Sequence, residues 1–99
     1  MYAWADQPTT GNYTPYLLYT SHPLGGTVYI SRSAVGQYTV EWAGVDPAIT
    51  NGGGAQVTAY GTNNAQCKVY DFRDSRVQVQ CFAPNGTPVD AYFMVLFHS

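Results

Sequence analysis

The chain has 99 residues, with four Lys or Arg against six Asp or Glu and a formal net charge of −2. That length fits one domain, and so weak a charge offers no basic field for a phosphate backbone, so nucleic acid is excluded as the expected partner. With 45% hydrophobic and 15% aromatic residues, the composition is the reverse of a disordered chain's and is large enough in apolar content for a real core.

The N-terminus, Met1-Tyr-Ala-Trp-Ala-Asp, has neither a basic start nor an apolar stretch, so the expected extracellular location implies a signal peptide absent from this chain. Tyr2–Ala5 reads as the first strand and Tyr13–Thr20 as the second, with Pro15 bending the latter or holding it at an edge. Thr27–Arg32 and Gln37–Ala43 follow as alternating strands, and the Gly44–Gly54 segment, with Asp46-Pro47 and a Gly run after Asn51, is the longest loop. Gln56–Gly61, Gln66–Phe72, Arg76–Ala83 and Ala91–His98 complete the series. The last of these holds the longest apolar run, seven residues from Ala91 to Phe97. A bilayer-spanning helix needs roughly 20 apolar residues, so no membrane insertion is expected. The expectation is an all-β fold: one antiparallel β-sandwich or jelly-roll-like domain of about eight strands over residues 1–99.

The two cysteines set a register. If Cys67 and Cys81 face each other across an antiparallel pair, partner positions sum to 148, which puts Val69 opposite Val79 and Asp71 opposite Val77 on one mostly apolar face. Lys68 then pairs with Gln80, Tyr70 with Gln78 and Phe72 with Arg76 on the other face, and Arg73-Asp74-Ser75 forms a three-residue turn. A hairpin disulfide on the core side is the expectation. Two unpaired core cysteines or two metal ligands are the alternatives, although no Cys or His pair stands at zinc spacing.

Several of these segments carry a resemblance. Gly36-Gln-Tyr-Thr-Val40, Gln56-Val-Thr-Ala-Tyr-Gly61, Cys67-Lys-Val69, Val79-Gln-Cys-Phe82 and Gly86-Thr-Pro-Val-Asp90, leading into Phe93–Phe97, resemble a unit of uncharacterised secreted proteins of soil bacteria. It spans about Tyr2 to Phe97, and implies an exported β-rich domain that often occurs in tandem. Phe72 stands where that unit often has Trp, and Ala91 where it often has Ser. No activity is attached to the family, so no functional residue is carried over.

Chemistry-bearing residues are sparse. His22 and His98 each adjoin a serine, but neighbours on a strand point to opposite faces, and neither sits in a nucleophile motif. Glu41, Asp71, Asp74 and Asp90 are the carboxylates from which a glycosidase pair would be drawn, yet no spacing pairs them. Asp46 and Asn51 match no calcium-loop logic. The expectation is therefore a protein that is not an enzyme and uses no cofactor or metal.

The tyrosines are the main functional signal. Lys68, Tyr70, Gln78 and Gln80 share the outer hairpin face with Phe72 and Phe82, and Tyr60 with Thr58 extends it if their strand pairs alongside. Aromatic rings cover the apolar faces of sugars while amides hold hydroxyls, so Tyr60, Lys68, Tyr70, Gln78 and Gln80 are the candidate ligand-binding residues of a secreted, non-catalytic, lectin-like module. Such a Thr, Tyr and Gln surface also belongs to the solvated face of any antiparallel sheet. A second aromatic set, Tyr2, Trp4, Tyr13, Tyr16 and Tyr19, crowds the N-terminal third. The final strand is apolar on both faces, and its Tyr92, Met94 and Leu96 suggest either a covered surface or an interface. The alternative function is thus a structural, self-associating module of an extracellular layer or fibre. Expected partners are a glycan or a protein surface, a second copy included. Asn12-Tyr-Thr and Asn85-Gly-Thr match the glycosylation sequon, while Pro84–Thr87 reads better as the hairpin turn between the last two strands.

Overall fold

A computed structural model describes residues 2–15, 20–21, 26–43, 54–61, 64–73 and 76–98. Nine strand segments form among them, and every pairing between them is antiparallel. They are β1 (Tyr2–Ala5), β2 (Asn12–Tyr13), β3 (Thr20–Ser21), β4 (Val28–Ala34), β5 (Gln37–Trp42), β6 (Gly54–Tyr60), β7 (Gln66–Arg73), β8 (Arg76–Phe82) and β9 (Tyr92–His98). The first sheet runs β3-β1-β9-β6 and the second β2-β4-β5-β8-β7. The protein is a two-sheet β-sandwich.

Period-two alternation explains the packing. On β5, Tyr38, Val40 and Trp42 point inward; on β8, Val77, Val79 and Cys81; on β9, Phe93, Val95 and Phe97; all are essentially inaccessible to solvent. Val28 and Ile30 of β4 and Ala3 and Ala5 of β1 close the remaining space. Tyr38 meets Phe93 across the sheets at 5.1 Å between centroids. Such a pair adds about 0.5–1.5 kcal/mol beyond area burial.

The predicted second strand, Tyr13–Thr20, is two short segments in different sheets. Tyr13 pairs with Ile30 in the second sheet, whereas Thr20 pairs with Ala3 in the first. The residues between Pro15 and Thr20 lie outside those described, as do Tyr16, Tyr19, His22, the 44–53 part of the predicted central loop with Asp46 and Asn51, and Asp74-Ser75.

Pro84–Thr87 is a turn, though not the predicted hairpin. Ala83 N donates to Thr87 O at 2.8 Å, Gly86 N to Ala83 O at 2.8 Å, and Thr87 N to Asn85 Oδ1 at 3.0 Å. It does not join β8 to β9 as a hairpin, because those strands belong to different sheets. After the Phe82–Pro88 bridge the chain crosses the end of the sandwich at Val89–Ala91 and enters the first sheet.

Cys67 and Cys81 form a disulfide between directly opposed residues of β7 and β8, with Cα atoms 4.0 Å apart. The Cys81 amide donates to Gly36 O at 2.8 Å, and its carbonyl accepts from Val89 N at 3.1 Å. With both backbone groups turned away from β7, the cysteines occupy a non-hydrogen-bonded pair, the closer of the two antiparallel pair types. Cys81 is fully buried and Cys67 packs against the core. Disulfides persist in oxidising environments. Among the described residues no helix is long and apolar enough to cross a membrane.

Candidate functional site

The 148 register holds from Cys67 to Val69 and then slips. Beyond Val69, Asp71 pairs with Gln78, Phe72 with Val77 and Arg73 with Arg76, which leaves Tyr70 as the extra residue of a β-bulge. This corrects four expectations: Tyr70 does not oppose Gln78, Asp71 does not oppose Val77, Phe72 does not oppose Arg76, and two residues rather than three separate the last paired positions. The physical reason is that one inserted residue shifts every later partner by one and re-aims the local side chains. Tyr70 consequently stands out from the sheet at 62% exposure.

Beside it opens a shallow cleft of about 250 Å³. Its wall is Tyr70, its polar lining is Ser33, Gln37, Thr39, Gln78 and Gln80, and Tyr38 and Val79 lie beneath. Pairing of β5 with β8 sets Gln37 opposite Gln80 and Thr39 opposite Gln78, so four polar side chains form a rectangle on the outer face of the second sheet. Three predicted site residues, Tyr70, Gln78 and Gln80, therefore meet. Lys68 shares the face through its pairing with Gln80, but its ammonium sits 5.6 Å from the centroid of the Phe82 ring and does not line the cleft.

Tyr60 does not join them. Its strand pairs with β9, not β7, so Tyr60 and Thr58 lie on the outer face of the opposite sheet. Ser33, Gln37 and Thr39 were missed by sequence reasoning because the β5–β8 pairing is non-local; the alternation of Gln37 and Thr39 against buried Tyr38 and Val40 marked their face but not their neighbour.

On the first sheet's outer face, Tyr60 is placed among other rings. Trp4 lies 5.6 Å and Tyr92 5.5 Å from it, centroid to centroid, both tilted. Register rows run Tyr2–Leu96–Gln56 and Trp4–Met94–Thr58, and Trp4, Thr58, Tyr60 and Met94 line a shallow apolar groove of about 310 Å³. The outer face of Tyr92, Met94 and Leu96 is thus not closed over: Tyr92 is 41% and Leu96 39% exposed.

Two carboxylates, Glu41 and Asp90, are held by arginines. Arg76 Nε donates to Glu41 Oε2 at 3.2 Å on the surface. Asp90 anchors a larger cluster at the sandwich end, where Oδ1 accepts from Arg32 Nε at 3.0 Å and Gly36 N at 2.9 Å, and Oδ2 accepts from Arg32 Nη2 at 2.9 Å. The Tyr38 hydroxyl shares its one proton between Pro8 O at 2.8 Å and Asp90 Oδ1 at 3.1 Å, and accepts from Ala91 N at 3.2 Å. Arg32 follows Val28 and Ile30 in the inward parity of β4, so its guanidinium requires an acidic partner at the rim. Burial pushes the Tyr38 hydroxyl up to about 12, and burial likewise raises Tyr13 to about 12. Among the described residues no three His, Cys, Asp or Glu gather as a metal site.

Asp90 gives the fold a pH dependence. Partial burial works to raise its pKa, but the hydrogen bonds from Arg32, Gly36 N and Tyr38 outweigh it and hold the carboxyl below its ordinary value. Its contribution to stability is fully present above the unfolded-chain pKa of about 3.9 and is lost as pH falls through the lower folded value. Thermal melts between neutral and strongly acid pH should show a steep acid loss in the native protein and a shallower one in Asp90→Asn; equal slopes would rule this contribution out.

No protein-family model matches the chain, no curated protein matches it, and no solved structure matches it.

Proposed function

We propose that this sandwich is a secreted, non-catalytic binding module that takes a neutral glycan in the cleft beside Tyr70. The observation that carries the reading is the bulge, which sets one exposed ring against the amides of Gln37, Gln78 and Gln80. A ring of this kind covers the apolar face of a pyranose, and each amide both donates and accepts, matching hydroxyls that do the same. Among the described residues no side chain lining the cleft is charged, which favours a neutral sugar over a uronic acid. Most of the contacting groups stand on paired strands and need little ordering on binding. Export is supported by the disulfide, which persists in oxidising environments.

A neutral-glycan array followed by calorimetry tests the proposal. Tyr70→Ala should weaken binding by about tenfold or more, equivalent to about 1.4 kcal/mol, with an unchanged melting temperature. Absence of binding across the array, or full affinity in Tyr70→Ala, would remove the proposal.

A further inference from the structure

The outer face of the first sheet stands apart from the proposed glycan cleft. Its central strand, β9, is apolar outward as well as inward; Tyr2 lies beside Leu96 and Trp4 beside Met94, and Tyr2, Trp4, Tyr92 and Leu96 are each 37–41% exposed. We propose that this face docks against the same face of a second copy, giving a back-to-back dimer.

Area supports a second copy as the occupant. A fully buried aromatic removes about 150–250 Å² from water, so each of these rings still offers about 60–100 Å². With Leu96, the exposed Gln56 and Thr58 and the half-buried Tyr60 and Met94, one face offers about 500–600 Å², and two faces together reach the roughly 1,000 Å² that a specific interface requires. Charge supports it too. None of these eight residues is ionisable at neutral pH, so the face meets its own copy without like-charge repulsion, whereas the outer face of the second sheet carries Lys68, Arg76 and Glu41. Tyr, Trp and Met are also the residues enriched at interface cores. The groove between Trp4 and Tyr60 is open to a partner side chain. In such a dimer the two Tyr70 clefts face outward on opposite sides, so it would bind a repeating ligand at two points.

Sedimentation velocity on the native protein without glycan, from about 1 µM to about 1 mM, spans the affinities such an area supports. Conversion from monomer to dimer is expected, accompanied by a blue shift in tryptophan emission. The shift reports Trp4, because Trp42 is already 1% exposed. Leu96→Lys should weaken association at least ~100-fold, since it sets like charges together in a desolvated face. Tyr70→Ala should leave it unchanged, which separates this inference from the glycan proposal. Should Leu96→Lys not fold, the native concentration series still decides. Monomeric sedimentation with constant emission overturns the dimer, as does an emission shift produced only by added maltoheptaose while the protein stays monomeric.

Discussion

Gly36→Ala is expected to destabilise the fold by at least about 3 kcal/mol, lowering the melting temperature by about 12 °C or more. Gly36 has φ +72°, a left-handed conformation that costs an ordinary residue about 1–2 kcal/mol. An added Cβ would also stand 2.6 Å from Cys81 O and 2.8 Å from Val89 O, backbone atoms that cannot swing aside. The glycine is pinned on both sides: its amide donates to Asp90 Oδ1 at 2.9 Å and its carbonyl accepts from Cys81 N at 2.8 Å. Relieving the clash therefore breaks hydrogen bonds, each worth about 1 kcal/mol, and strands a buried donor. Gly11→Ala is the control, because nothing lies within 4 Å of its Cβ position. Thermal denaturation followed by circular dichroism checks the pair, and a Gly36→Ala melt within about 4 °C of the native protein refutes the argument.

Removing the disulfide is expected to have an effect of similar size. The Cys67→Ala/Cys81→Ala double substitution opens a loop whose ends are 14 residues apart, for which the chain-entropy model gives about 3 kcal/mol. Cys81 is fully buried, so its truncation also loses packing against the core. A domain of this size has about 5–15 kcal/mol in all, so the urea midpoint should fall substantially, with an m-value at or above native because the uncrosslinked denatured chain exposes more surface. A midpoint loss worth under about 1 kcal/mol would show that the β7–β8 pairing is held by its other contacts. The two perturbations meet at Cys81, whose carbonyl crowds Gly36 and accepts from Val89 N. Combined, they should not be additive.

Both effects concern the end of the sandwich where Arg32, Gly36, Tyr38, Cys81 and Asp90 converge. None of these contacts is local in sequence, and Asp90 is 58 residues from Arg32. Asp90 could be identified beforehand only as a spare carboxylate. Its role emerges once β4, β5 and the crossing segment are brought together, when an inward-parity arginine must be neutralised. The cleft beside Tyr70 was legible by halves. Tyr70, Gln78 and Gln80 share a face because alternation within one hairpin is a local property, whereas Gln37 and Thr39 enter through a pairing between strands far apart in the chain.

By itself the sequence determined the all-β class, the seven longer strands to within a few residues, the alternation of faces along them except beyond Val69 on β7, and the Cys67–Cys81 pairing with the register next to it. These follow from the two-residue period of a pleated strand and from covalent reach, both of which act over a few residues. Tertiary structure alone decided which sheet each strand joins, and so sent Tyr60 to the face of Trp4 and Tyr92, away from Tyr70. It also decided the bulge at Tyr70. No glycine or proline marks that position, because what sets it is the fit of β7 along β8 in the closed sandwich, a competition among long-range contacts that no stretch of β7 records.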